Sequence, residues 1–441
     1  MTILVDFLYL IAMVLAGPVF LLRRALFVRK KLAPMGQRLG GFPRQPKGAR
    51  TVWIHGVSVG EVLAARGLVA GLEGDASGTQ VVISTTTPAG FETAQKCFPG
   101  RPVFHAPLDL SFAVRRAFDA LNPRLLVLME LELWPNLLAI AAERGVPVVV
   151  ANAKMSERSL RGYRRLLRFL PHFLDPVRAF GAQGVEHAAR IRALGVPEDR
   201  IRVTGSVKVD NLPKAPMVDA GREFRELLGL GEDPVLLAGS LHPGEDEPLL
   251  EAYGELLRRE PRLRLVLAPR HLERIEGLER LARAHGHAVL RRSSLPAAGQ
   301  ASSRALILVD TMGELARLFV AADLVFLGGS LVPVGGHNLF EPAAQGKPVL
   351  FGPYVHTVKE AALELIAAGG GFQVTGKGDI IRHSAALLGD PSALAAAGRA
   401  ARSIVDRHRG ATERTIALLR EVMVELKFGA GAPLSIGVEN V

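Results

Sequence analysis

At three strand-to-helix entries of this chain a serine, threonine or asparagine is followed three residues later by glutamate: Ser58 and Glu61, Thr311 and Glu314, Asn338 and Glu341. At a helix start this spacing makes a capping box, in which the first residue caps and the glutamate reaches back to its N–H. Beside glycine, the same spacing sets a carboxylate at a helix N-terminus, placed to accept a ribose hydroxyl or a substrate proton. Residues 328–353 carry the third pair. Glycines at 328, 329, 335 and 336 let the backbone approach a ligand closely, and a helix opening at Asn338 would aim N–H groups into the same space, which suits phosphate. The run Gly56-Val57-Ser58-Val59-Gly60 also fits G-x-S-x-G, the strand-to-helix elbow of serine hydrolases, although no later Asp/His pair stands out as its partner.

Four further segments carry chemistry-bearing side chains. Glu130 and Glu132 end an apolar run two residues apart, on one side of a strand; the alternative is a solvated strand end before Pro135. Lys208, in residues 203–208, lies near the middle of the chain, where it could face a cleft or simply solvent. Arg270 follows the apolar run 264–268 and is apt for gripping phosphate. Arg158, Arg161, Arg165 and Arg168 recur at helical spacing opposite Leu160, Tyr163, Leu167 and Leu170, either a lipid-phosphate surface or a solvated basic face.

The elements that would position these residues alternate. Past residue 50, strand candidates at 51–55, 80–85, 125–130 and 147–152, with weaker ones near Phe180 and Ile201, are interleaved with helical stretches. The rhythm repeats at 235–238, 264–268, 306–309, 324–327 and 348–351. Apolar strands without polar alternation are those buried on both faces, the signature of parallel sheets covered by helices. Two Rossmann-like domains facing across a cleft follow, joined near residues 205–221, with ligands expected beyond the carboxyl ends of the strands.

The chain has 441 residues, enough for two domains, and a net charge of +11, which favours anionic partners. Aromatics are only 6% and show no basic-aromatic stacking pattern, so nucleic acid is not an expected partner. Cys97 is the single cysteine and allows no internal disulfide, which fits a reducing compartment. Residues 3–22 are apolar apart from Asp6 and long enough to span the hydrocarbon core. Arg23, Arg24, Arg29, Lys30 and Lys31 follow them and no Lys or Arg precedes them, so the rest of the chain is expected on the cytoplasmic side. A helix lying in the interface or on the protein is the alternative.

Together these segments resemble the Kdo transferases, the lipid A glycosyltransferases of Gram-negative bacteria. The resemblance rests on residues 55–65 (HGVSVGEVLAA), 129–137 (MELELWPNL), 148–156 (VVVANAKMS), 203–210 (VTGSVKVD), 267–271 (LAPRH) and 309–315 (VDTMGEL), in order along the chain. It implies a GT-B fold of the α/β class and transfer of 3-deoxy-D-manno-octulosonic acid (Kdo) from CMP-Kdo to lipid IVA, at the cytoplasmic face of the inner membrane and among its lipids. It puts the proton acceptor on Glu61 and transition-state stabilisation on Glu130 and Lys208. It puts CMP-Kdo contacts on Pro269, Arg270, Met312, Gly313, Glu314, Asn338, Leu339, Phe340 and Glu341. In the last four the family pattern is Asn-Pro-Leu-Glu, and the missing proline removes a rigid helix start. The domains expected are an anchor at 1–25, an acceptor domain at 26–210, a nucleotide-sugar domain at 211–425 and a tail at 426–441. No D-x-D pair sits beside a nucleotide loop, so no catalytic metal is expected. Glu61, at a helix N-terminus, is expected to have a lowered pKa. A serine hydrolase built on Ser58, or a non-catalytic membrane scaffold, are the competing classes.

Overall fold

The protein is described by a computed structural model that covers residues 2, 3, 5–7, 9–11, 34–46, 50–74, 78–295 and 305–428. It divides into two units: unit 1 comprises Met1–Asn211 with Arg409–Val441, and unit 2 comprises Leu212–His408.

Unit 1 is built on seven strands: β1 (Arg50–His55), β2 (Thr79–Thr85), β3 (Val103–His105), β4 (Leu125–Met129), β5 (Val148–Ala153), β6 (Val177–Ala182) and β7 (Ile201–Val203). They pair in parallel in the order β3-β2-β1-β4-β5-β6-β7. All five residues of β4 and all six of β5 are buried, which is why β4 and the first four residues of β5 read as apolar runs. The strand order reverses between β1 and β4, and this is where a doubly wound sheet opens a crevice at its carboxyl ends.

Unit 2 repeats the plan with β8 (Val235–Leu241), β9 (Arg264–Pro269), β10 (Val289–Arg291), β11 (Leu306–Leu308), β12 (Leu324–Leu327), β13 (Val349–Phe351) and β14 (Gly371–Gln373). The order is β10-β11-β9-β8-β12-β13-β14, again parallel, and the reversal falls between β8 and β12. The strands that the sequence pattern misses are β3, β10 and β14. All three are three-residue edge strands, too short to show a period and buried on fewer sides.

The division differs from the expected one at the C-terminus. The helix Ala411–Phe428 belongs to unit 1, not to the nucleotide-sugar domain. Ala411, Ile416, Leu418, Leu419 and Val422 pack into the core beneath β1, β2 and β4 with Leu68, Val69 and Leu72 of the helix Arg66–Glu73. The approach is close because Gly71 has no side chain: a Cβ there would lie 2.1 Å from Ile416 Cδ1.

The expected anchor, residues 3–22, lies mostly outside the described residues. Its described part is helical and has two sides. Val5 is buried, while Ile3, Phe7, Leu10 and Ile11 are exposed. Asp6 accepts hydrogen bonds from Ser111 N (2.8 Å), Ser111 Oγ (2.5 Å) and Asn136 Nδ2 (2.8 Å), so its carboxylate caps the helix Ser111–Leu121 from 105 residues away. Among the described residues no helix is long and apolar enough to cross a membrane.

Candidate active site

The first cluster forms at the switch point of unit 1. After His55 the chain turns through residues 56–58 into the short helix Val59–Ala64, with Ser58 at its N-cap. The capping box is only half made. Glu61 Oε2 accepts from Val57 N at 2.8 Å rather than from Ser58 N, and the Ser58 hydroxyl donates to Glu61 Oε1 at 2.9 Å instead of capping a helix N–H. Glu61 is 7% exposed. Burial raises its pKa above the usual carboxylate range, contrary to the lowering expected from its place at a helix start. The Val57 and Ser58 hydrogen bonds pull it back, nearby Glu130 adds to the rise, and Lys208 opposes it.

Glu130 follows the last residue of β4 in the left-handed region (φ 60°), strained for a residue with a Cβ. Its carboxylate meets Lys208 Nζ at 2.6 Å. Lys208 is held by its own chain of contacts: buried Asn152, also left-handed (φ 57°), accepts from Val207 N at 3.2 Å and fixes the start of the helix Val207–Asp210. Asp210 in turn accepts from Gly410 N (2.9 Å) and Thr412 N (2.6 Å), tying that helix to the C-terminal one.

Glu132 joins the cluster by a different route from strand alternation, since β4 has ended and residues 130–131 form a turn before it. Trp134 Nε1 donates to it at 3.0 Å, and Tyr163, in the helix Glu157–Phe169, donates to Leu131 O at 2.8 Å. Burial, then the charges of Glu61 and Glu130, push the Glu132 pKa up to about 7, with the Trp134 hydrogen bond opposing. The four arginines at 158, 161, 165 and 168 lie exposed along that helix, while Tyr163, Leu166, Leu167 and Leu170 pack inward. The hydrolase reading lacks its histidine: the Ser58 hydroxyl is directed at Glu61, and buried His55 is engaged with Ser84 Oγ at 2.9 Å inside the sheet.

The second cluster forms at the switch point of unit 2. Arg270 follows Pro269 at the end of β9 with an exposed side chain, and Glu341 feels its charge. Glu341 is mostly buried, which raises its pKa, while Asn338 Nδ2 (3.2 Å) and Arg270 hold it down. The helix here is Phe340–Ala344, opening two residues later than expected, with Asn338 Oδ1 accepting from Phe340 N at 3.2 Å. Leu339 is 1% exposed, so only its backbone can meet a ligand, and the Phe340 ring packs 5.1 Å from His408. Thr311 does not cap a helix either. It donates to Glu314, which precedes the helix Leu315–Ala321 and accepts from Arg292 Nη2 at 2.9 Å. Met312 is 71% exposed and Gly313 has φ +85°.

The glycine-rich loop is not the ready phosphate cradle its composition suggests. Glu245, fully buried, accepts from His242 N (2.9 Å), Gly329 N (2.7 Å), Ser330 N (2.9 Å) and Leu331 N (2.9 Å). Gly335 N and Gly336 N donate to Gly329 O at 3.1 and 2.7 Å. Those N–H groups are taken up within the loop, and the glycines serve its tight packing. Sequence reasoning missed Glu245 because the backbone it holds lies 84–86 residues further on, and Arg292 because it follows the three-residue edge strand β10. Among the described residues no group of three or more His, Cys, Asp or Glu side chains could hold a metal ion.

Twin doubly wound parallel units, each with its polar cluster at the switch point, define an α/β protein of the GT-B kind. The whole-chain likeness to a putative UDP-N-acetylglucosamine 2-epimerase from Listeria monocytogenes shows the same fold (TM-score 0.61, 14% identity, covering 89% of this chain and 100% of that one). Residues 33–211 match the family model described as 3-deoxy-D-manno-octulosonic-acid transferase (kdotransferase). The chain is 34% identical over 372 residues to the 3-deoxy-D-manno-octulosonic acid transferase of Haemophilus influenzae, covering 84% of this chain and 86% of that one. It is 35% identical over 384 residues to the one from Bordetella pertussis, covering 85% and 87%. The chain belongs to the Kdo transferase family.

Proposed function

We propose that the protein transfers Kdo from CMP-Kdo to lipid IVA, with Glu61 taking the proton of the attacking sugar hydroxyl. The hydroxyl oxygen forms a bond to the anomeric carbon of Kdo, the bond from that carbon to the phosphate oxygen breaks, and CMP leaves with the electron pair. A sugar hydroxyl is a poor nucleophile until a base accepts its proton in the transition state. The observation that carries this reading is a nearly buried carboxylate, Glu61, at the switch point of unit 1 beside the Glu130–Lys208 pair. A raised pKa makes Glu61 a stronger base than an exposed carboxylate, provided that the pH keeps it ionised. Lys208, held on Glu130, supplies positive charge for the transition state.

The nucleotide side is assigned to unit 2, with the Arg270 guanidinium for the phosphate and Pro269, residues 312–314 and residues 338–341 around the rest of CMP. Residues 1–25 attach the enzyme to the inner membrane on its cytoplasmic side, residues 26–210 present the lipid and residues 211–408 hold the donor. Exposed Ile3, Phe7 and Leu10, together with the arginine-lined helix Glu157–Phe169, support the membrane assignment. The test is incubation of the purified protein with CMP-Kdo and lipid IVA, read by mass spectrometry of the lipid. A Kdo-bearing product with release of CMP is expected. No product, where a known Kdo transferase gives one, would overturn the assignment. Absence of CMP binding by calorimetry would favour the scaffold reading.

A further inference from the structure

The nucleotide contacts leave a pair of imidazoles at the switch point of unit 2 without a role. His242 directly follows β8, and His337 lies in the loop after β12, the two strands between which the sheet order reverses. We propose that His242 and His337 form a seat for the second anionic group of the donor, the sugar-acid carboxylate, and that the pair takes up a proton as that group binds. This rests on the donor reading above.

The geometry is specific. The two Nε2 atoms are 3.0 Å apart, and the rings lie edge to edge and nearly parallel, with centroids 5.2 Å apart at 19°. Such a contact needs one hydrogen between the nitrogens. When both rings are neutral, one therefore donates through Nε2 and has a bare Nδ1, and the pair keeps a single outward N–H. One added proton gives it two outward N–H groups and a full positive charge, which is what a carboxylate requires. The rings are fixed from below. Glu245 holds the backbone of His242 and of residues 329–331, and Gly329 (φ +67°) lies so close that a Cβ there would sit 3.1 Å from His337 and 3.2 Å from His242. Both imidazoles are only partly covered, so a ligand can reach them.

The surrounding charges keep the empty pair neutral. Burial lowers both histidines, Arg270 and His271 lower both further, and Arg274 acts on His242; Glu245 alone favours the charged form. Arg274 is engaged with Asp246 and Leu241 O, and the His271 ring stands edge-on to His242 at 5.8 Å. Arg270 remains exposed, available for the phosphodiester. A donor with two anionic groups then meets two cations, one permanent and one created by the ligand itself.

The test is titration calorimetry of the full chain with CMP and, separately, freshly prepared CMP-Kdo at pH 7.5, in two buffers of different ionisation enthalpy. CMP should bind without net proton uptake, and CMP-Kdo with uptake approaching one proton. His242→Asn and His337→Gln should each abolish the uptake and weaken CMP-Kdo by about tenfold, leaving CMP within about twofold. Equal proton uptake for the two ligands, no uptake with either, or equal losses of affinity for both in the variants, would overturn the seat while leaving the donor reading standing. No binding of CMP by the unsubstituted protein would overturn the donor reading and the seat with it.

Discussion

Glu61 and Glu132 show how far the character of a carboxylate depends on what covers it. The glutamate at position 61 is legible in the sequence because its neighbours form a dense local motif. Its pKa direction is not, because burial under distant chain outweighs the helix-start effect. Two predictions belong at this scale. A proton acceptor must be ionised, so activity falls as pH drops through its folded pKa. Burial raises Glu61, and the charge of Glu132 lies beside it, so kcat/KM should show an acidic limb above the usual carboxylate range. Glu132→Gln removes a negative neighbour and should move the limb to lower pH, and an unmoved limb would disconnect Glu132 from the base. Stability gives the second. Glu132 binds its proton more tightly folded (about 7) than unfolded (4.5), so its contribution is fully present at low pH and is lost as pH rises through that window. Glu132→Gln should therefore raise the unfolding midpoint at pH 8, on the order of 1 kcal/mol at this partly open site, and have no such effect at pH 4. Equal effects at both pH values would sink the assignment.

The central strands were legible as elements and the loops between them were not, for a physical reason. β4 is apolar throughout and β5 is apolar as far as Ala151 because both faces are covered, and that pattern is visible without a partner. Glycine in residues 328–336 signals only that backbone comes close to something. Here that something is largely the buried carboxylate of Glu245, 84 residues earlier, which no local pattern reveals. The segment from Asn338 to Glu341 was legible as a unit, and its helix start was displaced to Phe340, with Pro342 inside the first turn. Glu245→Ala would leave four N–H groups without their acceptor. At about 1–3 kcal/mol for each buried donor left unpaired, unit 2 should lose at least about 3 kcal/mol in denaturant unfolding, together with CMP binding. A loss under about 1 kcal/mol would mean that the loop is held by other contacts.

At the scale of the whole chain, the two-unit plan was legible because the strand–helix rhythm occurs twice. The return of the C-terminal helix to unit 1 was not, since an amphipathic helix does not declare which core it joins. Removing residues 409–441 strips Ile416, Leu418, Leu419 and Val422 from that core, each worth roughly 1.5–3 kcal/mol, enough to exhaust the stability of a typical domain. The truncated chain should therefore lose the fold of unit 1, while a fragment spanning 212–408 keeps its circular dichroism and its CMP affinity. A cooperatively folded unit 1 without that helix would contradict the division. The account as a whole turns on Glu61 as the base of a Kdo transfer. The most direct measurement is single-turnover transfer to lipid IVA by the unsubstituted protein and by Glu61→Gln, which keeps an acceptor for Val57 N–H. The prediction is a Kdo-bearing lipid from the former and a rate lower by about 10²–10⁴-fold in the latter, at unchanged CMP affinity. Equal rates would contradict it.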